Sequence, residues 1–169
     1  MRTLPDPGFA GDDGGVDPVV GAALAAYDAA IRTDAPDLHP DTLAVLQDAR
    51  VLVPVVALLG EVEHDDQGLA HDKTSDMAAV LMQGQDGRTA LLAFTGSRSL
   101  GAWNPAARPV PVPVRQAAQA ALQDRASALV VDVAGPVPFV IEEDDLTSLA
   151  QGLRLLRVEG RWAWAADVQ

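Results

Sequence analysis

The sequence predicts an α+β fold, a mixed and mainly antiparallel sheet covered by helices, and three observations support this class. Continuous apolar runs, which are typical of strands, occur at 51–59, 77–83, 89–94 and 129–133. Alanine-rich segments with apolar residues at helical spacing alternate with these runs. The pair Asp86-Gly87 separates two of the runs and predicts a hairpin, because glycine tolerates the positive φ of such a turn.

Helices are predicted at four places. The first covers 17–33, because Asp17 is a favourable N-cap and Pro18 suits the first helical position. A second begins near Pro40 and ends before Arg50. The remaining two are predicted at 115–125 and 143–151.

The strands differ in the positions that their prolines allow. The first run is continuously apolar, which indicates burial on both faces, yet Pro54 lacks a backbone N–H and indicates an edge or a bulge. Three prolines in 109–114 predict an extended edge segment. Residues 60–75 are polar and are expected to form a loop, and Glu159-Gly160 predicts a second hairpin.

Length and composition limit the organisation of the chain. The 169 residues predict one domain, 17–169, preceded by a disordered acidic tail over residues 1–16, which are rich in Gly, Pro and Asp. There is no cysteine, which excludes disulfides, thiol catalysis and thiolate metal sites. These features predict a cytoplasmic protein.

The net charge of −12 disfavours two classes of partner, nucleic acid and anionic membrane surfaces. No apolar run approaches the roughly 20 residues that span a bilayer, and the first residues lack the apolar core of a secretory signal. We therefore expect a protein partner, and self-association stays an open alternative.

Hydroxyl side chains near position 95 raise the question of catalysis. Thr95 or Ser97 could act as a nucleophile in a hydrolase or transferase if His39, His64 or His71 served as base. No spacing brings a histidine to them, however, and the simpler interpretation is that both hydroxyls cap the following helical turn. The sequence therefore favours a protein that is not an enzyme.

Two clusters could in principle hold a cation. The first comprises His64, Asp65, Asp66, His71 and Asp72, which offer nitrogen and oxygen ligands but follow no known ligand spacing. The second comprises Glu142, Glu143, Asp144 and Asp145, which also favour the positive end of a helix. A solvated loop and a helix start are the preferred interpretations, and we expect no metal and no cofactor.

Tryptophan and arginine, which are enriched at binding hot spots, mark two candidate partner-binding groups. The first lies at the strand end and contains Thr95, Ser97, Arg98 and Trp103. The second lies in the late hairpin and contains Arg157, Arg161, Trp162 and Trp164. Trp162 and Trp164 share a strand face by the period of two, and ordinary core packing is the alternative for them. The prediction is a non-enzymatic protein-binding or regulatory domain.

The order of several short motifs resembles the N-terminal domain of the SseB family over about residues 40–152. The motifs are Val51-Leu-Val-Pro54, Leu91-Leu-Ala-Phe-Thr-Gly-Ser97 followed by Leu100 and Trp103, the Pro-Val-Pro-Val edge, Leu129-Val-Val-Asp-Val-Ala-Gly-Pro136, and the helix through Leu149-Ala150. The resemblance implies a bacterial, intracellular protein with no established reaction. The predominance of arginine over lysine is typical of an actinobacterial genome.

Overall fold

The computed structural model describes residues 8–57 and 77–166, and in them it confirms the predicted α+β class. The elements follow one another as α1 (Pro18–Arg32), α2 (His39–Leu46), β1 (Arg50–Ala57), β2 (Met77–Ala79), β3 (Leu81–Gln83), β4 (Thr89–Ala93), α3 (Ser97–Trp103), β5 (Arg108–Pro113), α4 (Val114–Gln123), β6 (Ala128–Val131), β7 (Phe139–Glu142), α5 (Glu143–Ala150), β8 (Arg154–Val158) and β9 (Arg161–Ala165).

The described strands form two joined sheets and a separate hairpin. One sheet has the order β2-β1-β5, the other has the order β3-β4-β6-β7, and β8 pairs with β9. The two sheets meet where Leu52 and Phe94 exchange backbone hydrogen bonds of 2.7 and 2.8 Å. Strands β4 and β6 run parallel, whereas the other strand pairs are antiparallel. The carboxyl ends of β4 and β6 therefore lie side by side, which places Thr95 next to Asp132.

The core lies on both faces of the β3-β4-β6-β7 sheet. On one face, Leu91, Leu129 and Ile141 are fully buried together with the alanine stripe of α4 and the leucines of α5. Small alanine side chains let α4 approach the sheet closely. On the other face, Leu92 and Phe94 pack with residues of α3. The loop that contains Thr95 is thus fixed between two packed layers.

Of the two positions predicted for Pro54, an edge or a bulge, the edge is wrong. Strand β1 lies between β2 and β5. On the side of β1 that faces away from β5, Leu52 bonds to Phe94 and Val55 has Ala79 as its register partner. Pro54 lies between these two residues. The missing N–H therefore falls where β1 changes from one neighbour to the next, and no regular ladder bond is lost there.

Strand β5 lies at the end of its sheet in the described part of the chain, in agreement with the three prolines. Its register pairs Val112 with Val51 and Pro111 with Leu52. The backbone groups of Leu52 bond to Phe94 and therefore not to Pro111. Because hydrogen-bonded pairs alternate along an antiparallel ladder, the valines of β5 are the residues whose backbone groups bond to β1. The prolines consequently occupy the positions whose backbone nitrogen points away from the sheet.

Both predicted hairpins are present. In the first, the backbone N–H of Gly84 donates to the carbonyl of Arg88 at 2.8 Å, and Gly87 has φ +82°. In the second, Glu159 and Gly160 have φ values of +49° and +80°. Two consecutive residues with positive φ fit the twist of a two-residue hairpin turn.

The N-terminal segment differs from the expected disordered tail where the structure describes it. Residues 9–16 lie against Arg50 and Gly96 and make hydrogen bonds to both the β4–α3 loop and Arg50. Hydrogen bonds, rather than the apolar burial on which the disorder prediction depends, hold them in place. The first seven residues of the predicted tail, and the predicted loop at 60–75, lie outside the described residues.

Candidate functional site

The adjacent carboxyl ends of β4 and β6 carry a network of hydrogen bonds centred on Asp132. Its Oδ1 accepts from the backbone N–H of Thr95 at 2.9 Å and from the hydroxyl of Ser99 at 2.8 Å. Its Oδ2 accepts from the Thr95 hydroxyl at 2.6 Å. Asp132 has φ +55°, a conformation that aspartate and asparagine adopt more readily than most residues. The network ties the end of one parallel strand to the end of the other.

Sequence reasoning missed Asp132. The available signal was positional: a polar residue directly after a buried strand, parallel to another strand that also ends in polar residues. The predicted capping role is wrong for Thr95, whose hydroxyl donates to Asp132 instead of accepting from α3. The N-cap of α3 is Gly96, which provides no side-chain cap.

Residues 9–16, which we call the N-terminal strap, lie over this strand end. Because α3 has no side-chain cap, the strap supplies a hydrogen-bond partner for the first turn of this helix. The carbonyl of Gly14 accepts the backbone N–H of Ser97 at 2.7 Å. Arg50 holds the strap from below: its Nη2 donates to Oδ1 of Asp12 at 2.7 Å and to the carbonyl of Gly15 at 2.8 Å. Its Nη1 donates to the carbonyl of Thr95 at 2.9 Å.

The Arg50–Asp12 ion pair is largely shielded from water. The side chain of Arg50 is 16% exposed and that of Asp12 is 14% exposed. Charge-assisted bonds of this kind are strong, and removal of one partner leaves an uncompensated charge. The ion pair therefore fixes the strap at a defined place on the strand end.

Two glycines let the strap and the β4–α3 loop approach backbone to backbone. A Cβ atom on Gly96 would lie 2.7 Å from Cγ2 of Val16 and 3.1 Å from the carbonyl oxygen of Gly14. A Cβ atom on Gly14 would collide with Oγ of Ser97, and Gly14 has φ +75°. A side chain at Gly96 would therefore press on the strap backbone, and one at Gly14 would displace the Ser97 side chain and strain the backbone.

Cavities flank the strap on both sides. One of about 290 Å³ is lined by the side chains of Leu24, Asp28, Thr95, Asp132 and Val137, among others. A second, of about 550 Å³, is bordered by three carboxylates and one guanidinium: Asp13, Asp17, Asp48 and Arg50. Space next to the strap is therefore available for a larger segment of chain.

His39 does not serve the hydroxyl groups of this site. Its Nε2 lies 2.8 Å from the carbonyl oxygen of Val140, and its ring stacks on Phe139 with centroids 4.5 Å apart. Tyr27 contacts both rings edge-on, and burial, followed by the charge of Asp37, raises the pKa of its phenol. His39 thus belongs to an aromatic cluster that packs α1 and α2 on β7.

His64 and His71, and with them the histidine-aspartate cluster, lie outside the described residues. In the described part of the chain, no three side chains of the metal-binding types form a group that could hold an ion. Two of the four acids at 142–145 have separate partners: Glu142 pairs with Arg88 at 3.2 Å, and Asp145 accepts from Trp164 at 3.0 Å. Asp144 lies in the first turn of α5.

Helix α3 divides the first predicted binding group between core and surface. Ser97 and Arg98 are exposed. Thr95 is 5% exposed, and Trp103 is half-buried with its ring centroid 5.5 Å from that of Phe94. Thr95 and part of Trp103 therefore stabilise the loop, whereas Ser97 and Arg98 lie on the surface.

Comparison with known proteins assigns this architecture to a family. The model of the SseB protein N-terminal domain matches residues 22–148, three quarters of the chain. The chain belongs to the SseB family. The match includes the β4–α3 loop and Asp132. Searches of curated proteins and of solved structures returned no match. None of the described helices of this SseB-family chain is long and apolar enough to cross a membrane.

The second predicted binding group lies beyond the SseB match, in the hairpin β8–β9. Register places Arg157 opposite Trp162, and the guanidinium carbon lies 5.4 Å from the centroid of the Trp162 ring. Trp164 lies opposite Leu155 and donates its Nε1–H to Asp145. Both tryptophans share one face of the hairpin and pack, half-buried, against the core.

Helix α2 and the turn after it anchor this hairpin to the SseB domain. The carboxamide of Gln47 accepts the backbone N–H of Leu155 at 2.8 Å and donates to its carbonyl at 3.1 Å, as a neighbouring strand would do. Arg154 forms a bidentate pair with Asp48 at 2.7 and 2.8 Å. Hydrogen bonding from Arg154 lowers the pKa of Asp48 below its ordinary value.

The opposite face of the hairpin is exposed. Leu156 is 43% exposed and Val158 is 52% exposed, and Arg161 is the register partner of Val158. Arg157 is also exposed, on the other face and above Trp162. We call residues 156–162 the hairpin tip. It combines aliphatic surface, an arginine stacked on tryptophan and a second arginine within seven residues.

Proposed function

We propose that this SseB-family chain is a non-enzymatic protein-binding domain and that it docks its partner on the hairpin tip. The observation that carries the proposal is the exposure of Leu156 and Val158 on a hairpin that the rest of the domain holds rigidly. The domain contributes this anchoring through Gln47 and Asp48. A surface that is ordered before binding loses little conformational entropy when a partner docks.

The composition of the tip supports the same conclusion. Arginine and tryptophan are over-represented among residues that dominate binding energy. Arg157 lies over the ring of Trp162, which orients its guanidinium without neutralising it. The stacked pair offers a partner both an apolar surface and hydrogen-bond donors.

Charge indicates the kind of segment that fits. The chain as a whole has a net charge of −12, yet the tip carries Arg157 and Arg161 against a single acid, Glu159. Complementary potentials favour an acidic segment at this place, whereas acidic partners elsewhere on the surface are repelled. We therefore propose a partner segment with both acidic and aliphatic side chains.

The hydrogen bonds of the β4–α3 loop support the non-enzymatic part of the proposal. The hydroxyls of Thr95 and Ser99 both bond to Asp132, which also accepts the backbone N–H of Thr95. The ring nitrogen of His39 faces the carbonyl of Val140. A serine or threonine nucleophile needs a base that takes its proton and a group that orients this base. His39, the histidine among the described residues, is not placed to be that base.

The test compares two substitutions of aliphatic residues that are about equally exposed. Val158→Glu changes the hairpin tip, and Ile31→Glu changes α1, where Ile31 is 54% exposed. Wild-type and both variant chains, each checked for folding by circular dichroism, are used as bait in an extract of the native cell. Proteins captured by the wild type and Ile31→Glu but lost with Val158→Glu support the proposal. Identical capture by all three baits contradicts it.

A further inference from the structure

We propose that Arg50 and Gly96 form a second, occluded binding site that takes an acidic, glycine-containing segment of a partner protein, and that the N-terminal strap occupies this site as an intramolecular competitor. The inference does not depend on the hairpin tip. It follows from what Arg50 contacts, from which atoms of the strap it recognises, and from how little apolar surface holds the strap in place.

Arg50 is oriented for a carboxylate from outside the sheet. Its Nη1 is bound to the carbonyl of Thr95, which fixes the guanidinium on the domain. Its remaining nitrogens face the strap and meet Asp12. The side chain is 16% exposed while the strap covers it, and opening of the strap uncovers the nitrogens that bind Asp12. With its Nη1 fixed on Thr95, Arg50 then presents its other nitrogens to a carboxylate from another segment.

The strap atoms that bind this site are ones that many peptides possess. They are the carboxylate of Asp12 and the main-chain carbonyls of Gly14 and Gly15. No other side chain of the strap bonds to the site. A partner segment with an aspartate two residues before a glycine would present the same atoms. Glycine is favoured there because the φ of +75° strains other residues and because a Cβ atom would displace the side chain of Ser97.

The strap is held mainly by these polar contacts. Phe9 is partly buried, but Ala10, Gly11, Asp13 and Gly15 are exposed, and Val16 is 42% exposed. A segment that buries little apolar surface opens at a lower free energy than the core. Because a competing segment restores the same hydrogen bonds and the same ion pair, exchange of one segment for the other requires no other change in the fold.

The experiment uses a fluorescein-labelled peptide with the sequence of residues 8–16 and the full-length chain. The double variant Asp12→Ala/Gly14→Ala weakens the chain's own strap, whereas the matched variant Asp13→Asn/Gly11→Ala removes one acidic charge and one positive-φ glycine but keeps the side-chain oxygen that accepts the N–H of Gly15. Gly11 has nothing within 4 Å of its Cβ position. Fluorescence anisotropy measures binding, and circular dichroism and the urea midpoint verify that each variant is folded.

We expect the peptide to bind the first double variant at least about tenfold more tightly than the wild type or the matched variant. A peptide with asparagine in place of Asp12 should lose this advantage. A folded first variant that does not bind the peptide would overturn the proposal, and so would equal binding by all chains. If the double variant is unfolded, Asp12→Ala alone is compared with Asp13→Asn by the same criteria.

The control Val158→Glu separates this inference from the proposed function. Introduced into the first double variant, it should leave the affinity for the peptide unchanged, because the tip and the strap are different surfaces. Loss of peptide binding on this change would contradict the assignment of the site to Arg50 and Gly96. Failure of the capture experiment on the tip, in turn, leaves the peptide result intact.

Discussion

Asp132 lies 2.6 Å from the hydroxyl of Thr95 and 2.9 Å from its backbone nitrogen, so one carboxylate at the end of β6 fixes the end of β4. The bond to Ser99 extends this fixation into α3. The carboxylate thus joins the end of β6 to β4 and α3, to residues that precede it along the chain by more than thirty positions. Its position makes it the most informative residue to change.

Replacement of Asp132 by alanine should lower the free energy of unfolding by about 1–3 kcal/mol, because the buried Thr95 loses the acceptor of its N–H and hydroxyl. Thr95→Val removes one donor only and should cost about 1 kcal/mol. Urea denaturation measures both. Ser97→Ala, on the exposed side of the same loop, is the control and should stay within about 0.5 kcal/mol of the wild type. A harmless Asp132→Ala would show that the network is dispensable.

Gln47→Ala should destabilise the C-terminal hairpin locally. The variant leaves the N–H and C=O of the buried Leu155 without their carboxamide partner, at a cost of about 1–3 kcal/mol. Hydrogen exchange should show faster exchange of amides in β8 and β9 than in β4 or β6. Gln116→Ala, at an exposed position on α4, is the matched control. Uniform protection in both variants would refute the anchoring role of Gln47.

The Arg154–Asp48 pair predicts a dependence of stability on pH. Arg154 lowers the pKa of Asp48 below 3.8, so the pair stabilises the fold above that pH, and this contribution disappears as the pH falls through the lowered pKa. Asp48→Asn should therefore have a lower urea midpoint than the wild type at pH 7. The difference should shrink steadily below pH 3.8. A difference that is the same at pH 7 and at pH 3 would exclude this contribution.

Trp103→Ala should reduce stability as well as any binding. Its ring packs on Phe94, which is fully buried, and removal of a core aromatic costs about 3–5 kcal/mol. Because Trp103 is half-buried, we expect the lower part of this range. Thermal unfolding measures the effect, and Arg98→Ala on the exposed side of α3 serves as control. Equal melting temperatures of the two variants would contradict the packing role of Trp103.

Gly14→Ala should release the strap without unfolding the domain. The added methyl group would meet Oγ of Ser97, so the bond from the Ser97 N–H to the Gly14 carbonyl should break. The amide of Ser97 should then exchange with solvent at least about tenfold faster while β4 stays protected. Gly11→Ala, which also replaces a positive-φ glycine but meets no atom, should leave Ser97 protected. If both substitutions act alike, backbone strain explains the effect and steric contact does not.

Local patterns in the sequence predicted most of the fold. Asp17 and Pro18 start α1 as expected, with the Asp17 carboxylate accepting the N–H groups of Val19 and Val20. The glycines of both hairpins identified their turns. Each of these features depends on residues within a few positions of one another, so it can be recognised in a single sequence.

The candidate site was less predictable because its parts come from distant segments. Nothing near Thr95 in the sequence indicates that Asp132 will face it, since only the parallel pairing of β4 and β6 brings them together. The strap was also missed, because its composition predicts disorder and its anchor, Arg50, lies more than thirty residues away. The role of Pro54 depends on where β1 changes neighbours, which is again a property of the assembled sheet.

The alternating prolines of β5 affect how two molecules of this protein can associate through their sheets. An incoming strand needs N–H donors along the rim it joins, and here Pro109, Pro111 and Pro113 occupy the outward positions. That rim can offer carbonyl oxygens only, so fibril-like stacking of one molecule on another through it is blocked. Main-chain pairing of a second molecule at this side of the sheet, next to Arg50, is thereby disfavoured.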